Sequence, residues 1–314
     1  MSEVQASSSS SKTPLRKAAS SKPLLDYNSR LKPRKQKGKC GDPERTVSDE
    51  ELDQLVIKLA DVVEMSKHVV AFTGAGVSTS CGILDFRGPS GVWTRELRGT
   101  PLSNEEKTTE IFDNAVPGPT HRILASFMER GLLQHVVSQN VDGLHLRSGI
   151  PRENMSELHG NIFQEICTAC GEVYLRESDV GGMGLALTGN KCDNKKCKGL
   201  LRDNAVDWDT SLPEDVFKIA RRELRKADCV LCLGTSLRMF PAASMPLAVK
   251  RKNSFRDKPG KLCIVNLQET KYDKQANLLI RHYTDFVFEK LDAELKRRES
   301  VSLQPPQKKS KVEK

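Results

Sequence analysis

The chain has 314 residues, 37% of them hydrophobic, and a formal charge of +9 at pH 7. That length holds a core of roughly 200–250 residues plus tails, or two ordinary domains. No apolar run reaches the roughly 18 residues of a membrane span, and the N-terminus lacks the apolar segment of a secretory signal. The expectation is a soluble intracellular protein with no membrane partner, whose nine cysteines serve purposes other than disulfides.

Residues 1–44 are rich in Ser, Lys, Arg and Pro, and 293–314 are similar, so both read as disordered basic tails that bury too little apolar surface to order. Within them "RLKPRKQKGK" (30–39) and "PPQKKSKVEK" (305–314) suit nuclear import or contact with chromatin and nucleic-acid phosphates. Solvated tails with no specific partner are the alternative. The first predicted helix is "SDEELDQLVIKLADVVEMSK" (48–67), with Ser48 as N-cap, Glu51 at the capping-box position and apolar residues at helical spacing. Strand-like runs follow at 68–74, 135–140, 228–236, 261–267 and 284–291, with helices at 120–131 and 213–227 between them. This alternation predicts an α/β fold, a parallel sheet covered on both faces.

Ligands of such sheets bind outside the carboxyl ends of the strands. Here those ends read Thr73-Gly74-Ala75-Gly76, Gln139-Asn140, Gly234-Thr235-Ser236 and Asn266, which points to one shared crevice rather than to four ordinary turns. "TGAGVSTSCG" (73–82) suits a diphosphate at a helix N-terminus, but Thr79 stands where a dinucleotide fingerprint has its third glycine. The Gly/Pro-rich "ILDFRGPSGVW" (83–93) then brings Asp85, Phe86, Arg87 and Trp93 together in a mobile loop.

Cys167, Cys170, Cys192 and Cys197 form a C-x2-C-x21-C-x4-C pattern suited to tetrahedral zinc. Four thiolates leave no open ligand position, so the metal should be structural, with incidental or redox cysteines as the alternative. The glycine-rich stretch between the pairs has no core pattern of its own. Cys40, Cys81, Cys229, Cys232 and Cys263 lie mainly in or beside apolar runs and read as small buried hydrophobes. His159, in "ELHGN", is then not needed as a zinc ligand.

"GAGVSTSCGILDFRGPSGVW", "SQNVDGLHLRSG", "ELHGN", the four cysteines, "LGTSLR" and "IVNLQ" stand in the order and spacing of the sirtuins. The resemblance covers about residues 45–290 and is most like the nuclear class IV branch, from "GPSGVWT" after "DFR", "KGKCG" (37–41) and "LRDNAVDW" (201–208). It implies a Rossmann-like NAD-binding domain (45–158 and 206–292), a small inserted zinc-binding module (159–205) with one structural Zn2+, and a nuclear NAD-dependent protein-lysine deacetylase or deacylase acting on acylated histone tails. By it, Ala75, Thr79, Asp85, Phe86, Arg87 and Trp93 surround the diphosphate and nicotinamide ribose. Gln139, Asn140 and Asp142 hold the ribose and nicotinamide amide. Gly234, Ser236, Asn266, Gln268 and Thr284, the last near the final strand, cradle the adenosine half. His159 is the general base. Nicotinamide and O-acyl-ADP-ribose are the implied products. Histidine titrates near neutral pH and so can accept the proton that a ribose hydroxyl loses.

Two departures weaken the expectation of efficient deacetylation. Leu84 replaces the proline usual before Asp-Phe-Arg, which loosens the cofactor loop, and "AVDWDTSLP" differs from the substrate-pairing strand of the more active classes. Longer acyl groups, a mono-ADP-ribosyltransferase using the same pocket, and a non-catalytic zinc-containing chromatin reader are the remaining readings.

Overall fold

The computed structural model describes residues 27–103, 106, 110–208 and 210–302. Strands β1 (Val69–Thr73), β2 (His135–Ser138) and β3 (Met155–Glu157) open a larger sheet. A second sheet follows, from β4 (Gln164–Cys167), β5 (Val173–Leu175), β6 (Leu187–Lys191) and β7 (Leu200–Asp203). The chain then returns to the first through β8 (Cys229–Leu233), β9 (Lys261–Val265) and β10 (Leu278–Ile280). The larger sheet has the order β10-β9-β8-β1-β2-β3, and every neighbouring pair is parallel. The smaller sheet, β5-β4-β7-β6, is antiparallel.

The helices are α1 (Tyr27–Arg30), α2 (Asp49–Met65), α3 (Val92–Leu97), α4 (Glu110–Asp113), α5 (Pro119–Glu129), α6 (Leu144–Arg147), α7 (Glu214–Lys226) and α8 (Thr284–Ser302). Ser48 caps α2 as expected, its hydroxyl accepting from Glu51 N at 3.3 Å. The parallel strands are apolar throughout because successive residues enter opposite cores. Val69, Ala71, Leu231 and Leu233 pack with α2, α5 and α8 on one side. Val70, Phe72, Val230 and Cys232 pack with α7 on the other.

Three expectations are corrected. The run 284–291 is not a strand but the start of α8. A strand would put Phe286 and Phe288 on one face; instead Phe288 is fully buried and Phe286 is 55% exposed, and Val287, Phe288, Leu291 and Leu295 form a helical stripe on the core. For the same reason residues 293–302, expected in the disordered tail, continue α8, where Arg298 reaches Asp61, Glu64 and Glu294. Residues 27–44 are likewise packed, not a loose tail. Tyr27 is buried among Phe112, Ile162 and Phe163, and Arg30 grips Asp179 through two nitrogens at 3.0 and 2.5 Å. The cysteine-bearing sheet falls within 159–205, while 1–26 and 303–314, including the whole of the basic run at 305–314, lie outside the described residues.

Candidate active site

A cleft of about 490 Å³ opens at the carboxyl ends of the parallel strands, within the size range of small-molecule sites. It is lined by every residue assigned above to cofactor or catalysis: Ala75, Thr79, Asp85, Phe86, Arg87, Trp93, Gln139, Asn140, Asp142, His159, Gly234, Ser236, Asn266, Gln268 and Thr284. Its floor is built by close backbone approach. A Cβ at Gly74 would lie 2.7 Å from Thr235 Cβ, and one at Gly76 would lie 2.8 Å from Gly234 Cα. Gly234 itself sits at φ +55°, so the turn after β8 and the loop after β1 tolerate no side chain where they meet.

Polar groups beside that floor are held in place by one another. Asn140 Nδ2 donates to Gly74 O at 3.1 Å and to Ser78 Oγ at 3.2 Å, and Ser78 Oγ donates to Asp142 Oδ2 at 2.7 Å. Asp142 Oδ1 accepts from Leu144 N at 3.0 Å, fixing the carboxylate. Below, Thr73 Oγ1 touches both Ser138 Oγ and His145 Nε2 at 2.9 Å, and Ser138 Oγ accepts from Asn140 N. Gln139 Nε2 donates to Thr235 Oγ1 at 2.9 Å, joining the ends of β2 and β8.

His159 follows β3. Its Nδ1 lies 2.7 Å from Gln139 O, and a carbonyl can only accept, so Nδ1 carries the proton and Nε2 keeps its lone pair. Burial holds the imidazole below the usual histidine range, against the opposing pull of the Gln139 carbonyl. The ring is therefore neutral at pH 7. The main chain here is fixed by Val206 N donating to His159 O at 3.0 Å, and by Gly160 at φ +77°, where a Cβ would sit 1.8 Å from Asn204 O.

The loop after β1 forms the opposite wall. Phe86, Trp93 and Trp208 make a three-ring cluster with centroids 4.9, 5.6 and 5.1 Å apart. Arg87 stacks over Trp93 at 4.5 Å, and burial lowers its pKa to about 10, which still leaves it fully charged at neutral pH. Its Nε is buried without a protein partner, an orphaned cationic donor of the kind a phosphate oxygen satisfies. The carboxylate of Asp85 is engaged within the loop instead, accepting from Gly88 N at 2.8 Å and bracing the turn. Gln268 Nε2 donates to Asp42 O at 2.6 Å, and Gly41 N to Arg87 O at 2.9 Å, so residues 41–42 strap the loop to the end of β9. Thr284 lies at the first turn of α8 rather than beside a strand, accepting from Thr120 Oγ1 at 3.1 Å.

Sequence reasoning missed Trp208, Tyr27 and Met239, all of which line the cleft. Trp208 was visible only as one letter of a family spelling. Tyr27 lay inside a stretch whose composition hid it. The proposed import run 30–39 is also partly engaged, since Arg34 lies 5.4 Å over the Trp208 ring.

The four cysteine sulfurs all lie within 4.8 Å of one another, with Cys167–Cys197 at 3.6 Å and Cys170–Cys192 at 3.7 Å. Tetrahedral zinc with Zn–S of about 2.3 Å implies S···S near 3.8 Å, so the cluster is compatible with a structural zinc. Ala169 N and Gly199 N each point at a sulfur at 3.4 Å, as knuckle amides do. This cluster replaces a core: besides Cys167 and Cys192, only Leu201 is a buried apolar residue there, with Tyr174 and Cys197 packed against them.

Residues 74–241 match the Sir2 family. The chain is 48% identical over 230 residues to the NAD-dependent protein deacetylase SRT1 of Arabidopsis thaliana, covering 73% of this chain and 47% of that protein. To the NAD-dependent protein deacetylase Sirt6 of Drosophila melanogaster it is 40% identical over 262 residues, covering 81% and 80%. Among solved structures it resembles a Sir2–p53 peptide–NAD+ complex at 30% identity and a TM-score of 0.57, covering 76% of this chain and 97% of that one. The chain spans about half the length of the plant relative. By the family match and by its identity to the fly protein over most of both chains, the chain belongs to the Sir2 family, whose members use NAD.

Proposed function

We propose that this chain is an NAD-dependent protein-lysine deacetylase or deacylase of the nucleus, acting on histones or other chromatin proteins. The observation that carries the reading is the neutral His159, whose Nε2 lone pair is left free in a cleft that also holds the buried, orphaned Arg87 Nε. When bound, NAD supplies the leaving nicotinamide and the ribose that receives the acyl group. Ala75, Thr79, Phe86, Arg87 and Trp93 would hold its diphosphate and nicotinamide ribose, Gln139, Asn140 and Asp142 the ribose hydroxyls and amide, and Gly234, Ser236, Asn266, Gln268 and Thr284 the adenosine half. Asp85 serves the same loop by bracing it.

The side chains divide the chemistry among them. Arg87 offsets phosphate charge in a site where burial strengthens the attraction. Asp142 and Asn140, already fixed by Ser78 and Gly74, offer an acceptor and a donor at little further ordering cost. His159 Nε2 takes up a hydroxyl proton, and its Nδ1–H bond to Gln139 O strengthens as the ring becomes charged. The Phe86–Trp93–Trp208 wall excludes water. Cys167, Cys170, Cys192 and Cys197 would hold one zinc that fixes the smaller sheet and hence the peptide-binding side of the cleft. The basic segments beyond the described residues would serve nuclear import and contact with chromatin.

The test is mass spectrometry of the full chain with NAD and acylated histone peptides, wild type beside His159→Tyr. Acyl loss with nicotinamide and O-acyl-ADP-ribose, from the wild type alone, is the expected result. A mass gain of ADP-ribose on protein without acyl loss would replace this reading with mono-ADP-ribosyl transfer. Neither product, with NAD still bound, would leave a non-catalytic chromatin reader.

A further inference from the structure

The amino ends of β8 and β9, opposite the cleft, carry a second feature that the reaction does not use. On α7, Lys218, Arg221, Arg222 and Arg225 recur at helical spacing on the solvent side, while Ala220 and Leu224 are buried. Residues 250–261, "KRKNSFRDKPGK", have one acid, Asp257, among their cations. This loop is pinned against the end of α7: Asn253 Nδ2 donates to Arg225 O at 3.0 Å, and Arg256 donates to Val249 O at 2.8 Å and Ala248 O at 3.0 Å. Arg225 lies 5.8 Å over the ring of Phe255, which is 51% exposed.

Some of this charge is already answered. Lys218 pairs with Glu214, and Arg222 and Lys226 with Glu223. Arg221, Arg225, Arg251, Lys252, Lys258 and Lys261 are exposed and have no acidic partner among the described residues. Like charges left adjacent on a pinned loop and helix repel one another, a cost that a surface without a partner avoids by interspersing acids.

We propose that α7 and the 250–261 loop form a binding surface for the phosphate backbone of a nucleic-acid duplex. The thirteen residues of α7 make a ridge roughly 20 Å long, long enough to meet several phosphates spaced about 3.4 Å along a strand. The guanidinium groups suit phosphate oxygens, and anchoring of the loop lowers the ordering cost of binding. A single exposed aromatic, with no further apolar residue in the loop, gives a lipid surface little to bury. Because the cleft lies at the other ends of the same strands, both can be occupied at once, so the folded core would hold the duplex while a neighbouring protein segment enters the cleft.

Fluorescence anisotropy with labelled duplex DNA and duplex RNA, across a salt series, tests this on the full chain. The Arg221→Glu/Arg225→Glu/Lys252→Glu variant is expected to bind at least tenfold more weakly, with the slope of log K against log salt reduced by about 3, from loss of three contacts at roughly 0.9 each. The milder Arg221→Gln/Arg225→Gln/Lys252→Gln variant loses the same three contacts and should show a similar change of slope with a smaller fall in affinity, and melting temperature and NAD binding should match wild type for both. Binding of both duplexes by the reversed variant with wild-type affinity and slope would overturn the proposal, assigning all contact to the terminal segments. So would binding of anionic vesicles by the wild type with none of either duplex.

Discussion

The two sheets of this molecule are held by different physics. In the parallel sheet every residue of β1 and β8 is buried, and alternate side chains feed two separate apolar cores. In the antiparallel sheet β5 and β6 are intermediate or exposed throughout, and four thiols stand where a core would be. The lesson is a division of labour. The loops that hold the cleft's small polar groups rest on the apolar sheet, whereas the smaller lobe gathers four thiols in an arrangement compatible with a structural zinc.

Removing the metal should break the comparison most visibly. Structural zinc is worth on the order of 10 kcal/mol of folding free energy, far more than this lobe's small apolar cluster supplies. Chelation, or Cys170→Ser, should therefore abolish hydrogen-exchange protection across 164–203 while β1, β2 and β8 stay protected. Global loss of the circular-dichroism signal would show that the sheets do not separate in this way.

Smaller perturbations belong to the dry sheet. Leu231→Ala removes a side chain that is 1% exposed, and should cost about 2–5 kcal/mol in denaturant unfolding with no change in metal content. An effect under 1 kcal/mol would deny β8 its place in the core. His135 is 3% exposed, and burial lowers its pKa to about 4. Its folded value lies below the unfolded one, so its neutral form stabilises above about pH 6.5 and that contribution is lost as pH falls toward 4. Relative to His135→Asn, wild type should lose about 3 kcal/mol across that window; a flat difference would mean the ring is solvated. Gly160→Ala is expected to cost about as much stability as Leu231→Ala, because a methyl would lie 1.8 Å from the backbone Asn204 O at a residue held at φ +77°. It should nevertheless cut activity more than Leu231→Ala does, by displacing His159, and equal activity losses in the two variants would deny Gly160 that role.

The strand ends were legible because continuous apolar runs closed by small or polar residues have few other uses, and four of the five expected strands are strands. The fifth, 284–291, has apolar residues at spacings that suit either period over so short a window; only the stripe extending to Leu295 decides for a helix. Strands β3 and β10 were missed because three residues carry almost no pattern. Residues 27–44 were misread for a different reason. Their Lys, Arg and Pro content signals disorder, but Arg30 and Arg34 find Asp179 and Trp208, partners far away in the chain that composition cannot reveal. The cleft residues were named through motif spelling. Their mutual bonds, such as Ser78 to Asp142 and His159 to Gln139, came only with the fold.

The central claim is that His159 serves the chemistry and not the architecture of the cleft. It is tested most directly by the deacylation rate of His159→Asn against wild type, with the NAD-induced rise in melting temperature recorded on the same samples. The account predicts a rate lower by about 10²–10⁴ with the NAD-induced rise retained, the loss expected for a general base. A rate within tenfold of wild type, or loss of the NAD-induced rise along with activity, would contradict it.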